Sequence, residues 1–168
     1  RKIEQMTFVD ALTNVYNYRY LDRRLDEEIR IAKRFGTTLS VVYMDMDGFK
    51  RVNDECGHKA GNVVLSEFGA ILRVGARTTD LVGRMGGDEF LLILPNTNRD
   101  EAQIVSERLR KRIEARVFDF DGRKVDYVRA SMGVATFPYD TQDKESLVTA
   151  ADRAMYRAKQ TGGNRVCI

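Results

Sequence analysis

Cysteine is nearly absent from this 168-residue chain: Cys56 and Cys167 stand far apart, with no CxxC pair and no Cys/His cluster. That pattern excludes a disulfide scaffold and a zinc site. No apolar run approaches the roughly 18 residues of a membrane span, and the opening RKIEQM is no signal peptide. The expected setting is a reducing cytoplasm, with membrane anchorage of a longer parent protein left open. Charge of one sign is scarce as well. Lys and Arg number 28 against 25 Asp and Glu, a formal +3, too weak a bias for a broad nucleic-acid surface. There are two prolines, and no proline-rich linker, repeat or low-complexity tract divides the chain. Its length and 43% hydrophobic content fit one domain with a substantial core. An initiator methionine is lacking too, so residues 1–9 read as the end of a helix or linker arriving from a longer chain, and residues 10–168 as the domain.

What is present is strong periodicity. Leu21, Leu25, Ile29 and Ala32 recur at three- and four-residue steps and predict an amphipathic helix ending near Gly36. In the next segment Leu39, Val41, Tyr43 and Asp45 alternate with Val42, Met44 and Met46, as in a strand covered on both faces. Helical spacing returns from Phe49 to Asn53, from Ala60 to Leu72, from Ala102 to Ile113 and from Leu147 to Ala158. LVGRM and DEFLLIL flank Gly86-Gly87, a two-residue hairpin link in which both residues can take positive φ. A second hairpin is predicted around Asp121-Gly122, then strands in YVRASMGVATF and RVCI. Helices and strands interrupted by hairpins predict an α+β fold with a mainly antiparallel central sheet flanked by helices.

Two acidic clusters stand at strand ends: Asp45 and Asp47, and Asp88 and Glu89. If the strands are neighbours, the carboxylates converge, and two like charges about 4 Å apart repel by roughly 4 kcal/mol at an effective dielectric near 20. Simple salt bridges to Arg84 or Lys50 are one resolution. The other is a metal, and oxygen donors without histidine or cysteine favour Mg²⁺ or Mn²⁺ over zinc. Further residues extend the second reading. Gly48 and Phe49 mark a strand-to-helix passage whose backbone N–H groups could hold a phosphate, with Lys50 adding a charge. Asn53 and Asn62 could each read a base edge, with His58 between them; taken singly, Asn53 also fits a helix end and His58 a structural surface position.

Together the segments DALTNVYN (10–17), DMDGFKRVND (45–54), GHKAGN (57–62), RMGGDEF (84–90), SMGVA (131–135) and ADRAMYRAKQTGGNRV (151–166) closely resemble the GGDEF family of diguanylate cyclase domains, in family order and spacing. The resemblance implies a nucleotidyl cyclase or polymerase-palm fold, a ferredoxin-like core with an added β-hairpin. It implies that two GTP molecules become cyclic di-GMP, with two Mg²⁺ or Mn²⁺ ions per site. Asp45, the Met46 backbone carbonyl and Glu89 would be metal ligands. Asp88 would assist deprotonation of the ribose 3′-hydroxyl or approach a metal. Gly48, Phe49, Lys50 and Lys159 would hold phosphates, and Asn53 and Asn62 would meet the base. It implies a homodimer as the active species, one nucleotide per domain, and an upstream sensor acting through the signalling helix that residues 1–9 would end.

RTTD (77–80), five residues ahead of the signature, resembles the family's RxxD, which implies an inhibitory product site of Arg77, Asp80 and Arg108. Arginine suits this role because its planar fork pairs with phosphate and guanine edges. Two departures stand out. Asn62 replaces the family's usual aspartate, which reads the guanine N1–H and amine, so ATP could be accepted alongside GTP and mixed cyclic AMP-GMP made. Gly163 stands where an arginine near the triphosphate is frequent; Arg165 would substitute for it or belong to the closing strand. A non-catalytic cyclic-dinucleotide receptor is the reading from another functional class.

Overall fold

The structure, a computed structural model, describes residues 7–168. It begins with an extended segment in which Val9 bridges Tyr16. Of the helix or linker expected over 1–9, residues 7–9 are extended, and the first six positions lie outside the described residues.

Helix α1 (Tyr18–Phe35) is opened by the Asn17 side chain accepting from Tyr20 N and closed by left-handed Gly36, the start and stop chemistry that its ends require. There follow β1 (Leu39–Asp47), α2 (Phe49–Cys56), α3 (His58–Gly75), β2 (Leu81–Gly86), β3 (Glu89–Pro95), α4 (Arg99–Ala115), β4 (Phe118–Phe120), β5 (Arg123–Val125), β6 (Arg129–Phe137), α5 (Lys144–Gln160) and β7 (Arg165–Cys167). The main sheet runs β2-β3-β1-β6-β7. All its pairs are antiparallel except β6 with β7. Its first four strands give the ferredoxin-like order, and β4-β5 forms the separate added hairpin. There Asp121 and Gly122 both take positive φ, as a two-residue link demands.

Alternation along β1 divides the core. Val42, Met44 and Met46 pack with Val64, Phe68 and Leu72 of α3 and Leu109 of α4; Leu39, Val41 and Tyr43 pack with Leu21, Leu25 and Ile29 of α1 and Met155 of α5. Because both faces are covered, β1 cannot slip by one residue without exchanging two buried sets, and its register fixes where Asp45 emerges. The hairpin before β3 differs slightly from expectation. A bulge between Arg84 and Gly86 lets Gly86 pair with Glu89, so the turn is Gly87-Asp88, with Gly87 at φ +51. The bulge absorbs one residue and puts Asp88 in the turn itself. Among the described residues no helix is long and apolar enough to cross a membrane.

Helix α5 lies directly on β6 at Gly133, where an added Cβ would stand 2.1 Å from Ala151 O and 2.2 Å from Met155 N. Since both atoms are backbone, the helix would have to lift. Gly133→Ala is expected to cost about 2–4 kcal/mol, read as a lower urea midpoint or insoluble protein. An unchanged midpoint would contradict this contact.

Candidate active site

Register brings the two acidic clusters together: Asp45 of β1 is the direct partner of Glu89 of β3. Side chains at opposed antiparallel positions share a face with Cβ atoms about 5 Å apart, and like charges there repel. Salt bridges to Arg84 or Lys50 do not resolve the conflict. Arg84 is committed elsewhere: Nε and Nη2 donate to Gly87 O at 2.9 and 2.7 Å, and Nη1 lies 3.3 Å from Asp10. The cation that does arrive is Lys159, whose Nζ stands 3.4 Å from Asp45 Oδ2 and 3.1 Å from Asp47 Oδ1. The other Asp45 oxygen, Oδ1, is buried without a hydrogen-bond partner. Burial first, then Asp88 and Glu89 against the pull of Lys159, push the Asp45 carboxyl up to about 7. Lys159 answers in kind: burial opposes its charge, but Asp45 and Asp47 hold its ammonium above the ordinary lysine range.

An open cleft of ≈ 690 Å³ is lined by Asp45, Met46, Gly48, Phe49, Lys50, Asp88 and Lys159 together with Asp47 and the acidic end of α2. Gly48 is the N-cap of α2 at φ +86, with no side-chain cap and no acid in the first turn, so the helix start is left open to an anion. A Cβ at Gly48 would stand 3.0 Å from Tyr127 O, and β-branched or bulky residues cannot adopt this conformation. The remaining base-facing candidates lie outside that lining. Asn53 is half-buried between α2 and α3, its Oδ1 unpartnered and 1.9 Å from where a Cβ on Gly61 would be. That close approach carries Asn62, next in sequence and exposed, to the same helix junction; His58 is exposed at the first residue of α3.

Arg77, Asp80 and Arg108 gather at the far end of α3. The Asp80 side chain is 1% exposed and paired with Arg77 at 3.2 Å, which also reaches Thr97 Oγ1 at 2.5 Å, while Arg108 Nη2 donates to Gly75 O at 3.1 Å. At the other departure, Gly163 has φ +69 and a Cβ there would meet Asp47 Oδ2 at 3.0 Å, so the turn after α5 closes against Asp47 where an arginine would not fit without strain. Arg165 is exposed in β7, its Nε donating to Gly163 O at 3.0 Å, and belongs to the closing strand.

The supporting contacts of several residues are not legible in the sequence. Asp47 gathers Ser131 Oγ at 2.8 Å, Lys159 Nζ at 3.1 Å and Asn164 N at 2.9 Å, tying β1, β6 and the end of α5 together. Asp10 accepts Thr13 Oγ1 at 2.7 Å and pairs with Arg84. Despite burial, bonds from Thr13 and Arg84 hold its carboxyl below the usual aspartate range. In this way DALTNVYN buttresses the signature turn from outside the sheet. Tyr43 Oη donates to Glu89 Oε2 at 2.7 Å. The alternation of β1 placed Tyr43 on the Asp45 face, which was the one available signal.

No three histidine, cysteine or carboxylate side chains close into a metal cage among the described residues. What is present is a partial shell of hard oxygen donors: Asp45 with its unpartnered buried Oδ1, Glu89 opposite, and the Met46 carbonyl at the cleft. That set fits Mg²⁺ or Mn²⁺, which are held by one or two carboxylates and complete their shell with water and substrate phosphate.

The sequence profile described as "Diguanylate cyclase, GGDEF domain" matches residues 7–165. Diguanylate cyclase A of Treponema denticola is 37% identical over 167 residues, covering 98% of this chain and 45% of that protein. The bifunctional diguanylate cyclase/cyclic di-GMP phosphodiesterase MucR of Pseudomonas aeruginosa is 38% identical, covering 99% of this chain and 24% of its own length. This chain thus spans less than half of either relative. Among solved structures, the GGDEF domain of DgcB from Caulobacter crescentus in complex with c-di-GMP superimposes with a TM-score of 0.91 at 28% identity, over 98% of this chain and 97% of that one.

With its folded-state pKa above the ordinary 3.8, Asp45 binds a proton more tightly in the folded chain, so its contribution falls as pH rises from about 4 through about 7. Asp45→Asn is expected to raise the melting temperature of the metal-free protein by about 2–5 °C at pH 8 and by much less at pH 5. Equal shifts at both pH values, in paired thermal scans, would contradict a charge origin.

Proposed function

The chain belongs to the GGDEF family of diguanylate cyclase domains, and on that premise we propose that it condenses two GTP molecules into cyclic di-GMP with release of pyrophosphate. The observation that carries this reading is the opposition of Asp45 and Glu89 across β1 and β3, with Asp45 and Asp88 lining the same cleft as the uncapped start of α2.

In this reading Asp45, Glu89 and the Met46 carbonyl would hold Mg²⁺ or Mn²⁺, two ions per site, whose chemistry when bound would be to compensate triphosphate charge and polarise the reacting phosphate. The N–H groups around Gly48 and Phe49, with Lys50, bind phosphate oxygens. Lys159, which bridges Asp45 and Asp47 and lines the same cleft, would add its charge to the triphosphate site. Asp88, in the turn facing the cleft, accepts the proton of the ribose 3′-hydroxyl. The 3′-oxygen forms a bond to the α-phosphorus of the second nucleotide as the bond to the β-phosphate bridge breaks, and pyrophosphate leaves. The same step, repeated with the nucleotides exchanged, closes the ring. One nucleotide per domain makes a face-to-face homodimer the active species, within a longer protein whose upstream part sets the pairing; residues 10–168 are its catalytic domain.

A second reading rests on Asn62. An asparagine amide offers both an acceptor and a donor, where a carboxylate only accepts, so adenine becomes tolerable and ATP a co-substrate. His58 borders the same helix junction and completes the proposed base-side group. Protein given GTP, ATP and an equimolar mixture with Mg²⁺, its products identified by mass, tests both. Cyclic di-GMP is expected from GTP and as the main product of the mixture. A cyclic AMP-GMP fraction that Asn62→Asp suppresses would assign relaxed base reading to Asn62, and its absence would remove that reading. Cyclic di-GMP binding without pyrophosphate release from a demonstrably dimeric sample would overturn the enzyme in favour of a receptor.

Arg77, Asp80 and Arg108 make up the proposed inhibitory product site. Arg108 gives up little of the fold when truncated, since its guanidinium holds only Gly75 O among the described residues. Arg108→Ala is expected to weaken cyclic di-GMP binding about tenfold or more, about 1.4 kcal/mol, by calorimetry. Unchanged affinity would place product binding elsewhere.

A further inference from the structure

Glu89 has no cation beside it among the described residues, yet its side chain is fixed: the Tyr43 hydroxyl lies 2.7 Å from Oε2. Tyr43 is 8% exposed and sits in the apolar layer with Leu39, Val41, Leu91 and Ile93. Nothing in those neighbours calls for a hydroxyl, and a phenyl ring would fill the same space. The oxygen therefore has its one partner at the carboxylate. We infer that Tyr43 is a positioning residue for Glu89: it holds Oε2, selects the side-chain rotamer and leaves Oε1, which has no protein partner among the described residues, to meet the divalent cation.

The inference rests on the proposed metal role of Glu89. It gives the two opposed acids parallel arrangements. Lys159 holds Asp45 Oδ2 and leaves Oδ1 without a partner; Tyr43 does the same for Glu89 with a neutral donor. A neutral donor suits this position because it orients the carboxylate without competing for its charge, whereas Lys159 has to be displaced. Tyr43 lies two residues before Asp45 on the same face of β1, so one strand supplies a metal ligand and the support of the opposite ligand. Hydrogen bonds to ligating carboxylates hold the geometry that the ion meets, and losing one lowers metal affinity about 10- to 100-fold.

The test compares the wild-type chain, Tyr43→Phe and Glu89→Gln, with a non-hydrolysable GTP analogue present, by following the loss of the free Mn²⁺ paramagnetic resonance signal. Tyr43→Phe is expected to weaken Mn²⁺ binding about tenfold or more, while nucleotide affinity in excess chelator and the melting temperature stay close to wild type. In turnover, the Mg²⁺ midpoint should rise by a similar factor and the rate at saturating Mg²⁺ recover to within a few-fold, a split that a loosened core would not produce. Mn²⁺ affinity within twofold of wild type in Tyr43→Phe, alongside a clear loss in Glu89→Gln, would overturn the positioning role and leave the proposed site intact. If Glu89→Gln binds Mn²⁺ as well as wild type, the metal role of Glu89 fails and the role of Tyr43 falls with it.

Discussion

Two carboxylates held opposite each other on adjacent strands are the constraint around which this domain is arranged. The pairing of Asp45 with Glu89 is unfavourable in isolation, and it persists because β1 is locked from both faces. The apolar sets on either side of the strand pack against different helices, so relieving the charge conflict by a one-residue slip in register would force each set into the space shaped for the other, in two layers at once. Folding energy thus maintains a costly arrangement, and burial first, then the nearby Asp88 and Glu89, raise the proton affinity of Asp45. A perturbed carboxyl in a cleft marks a candidate functional site.

The surroundings of the pair show how that cost is contained. Lys159 supplies an internal cation between Asp45 and Asp47. Asp47 is firmly held by Ser131, Lys159 and Asn164, so the two aspartates of one DxD segment divide the work: one keeps the strand end in place and the other keeps an oxygen free. Arg84, which simple charge counting would assign to the signature acids, is drawn off to Asp10 and Gly87 O. That commitment braces the turn while leaving Asp88 and Glu89 without a permanent counter-ion. The glycines do separate jobs. Gly48 opens the start of α2 beneath Tyr127, and Gly163 lets the end of α5 close on Asp47.

Much of the fold was legible because it follows periodicity. The two-faced alternation of β1, the three- and four-residue spacing of α1 and the Asp121-Gly122 link appear in the structure where the residues place them. The signature turn was misplaced by one residue because a bulge depends on how β2 meets β3 and leaves no mark in composition. The helix expected before residue 10 does not extend to 7–9, where Val9 is drawn into a bridge with Tyr16.

The site divides along the same line. Residue types in order and spacing determined the chemistry available to this protein: hard oxygen donors without histidine or thiol, a glycine at a helix start, an amide at position 62 and an Arg–Asp pair in the RTTD turn. Contacts between segments distant along the chain decided which of those groups are free to act. Lys159 meets Asp45, Arg84 turns away from Glu89, Tyr43 reaches Glu89 and Asp47 becomes a tie point only when β1, β3, β6 and α5 are assembled. A sequence specifies what each side chain can bind, but whether a charge is already satisfied depends on neighbours that only the packed sheet supplies.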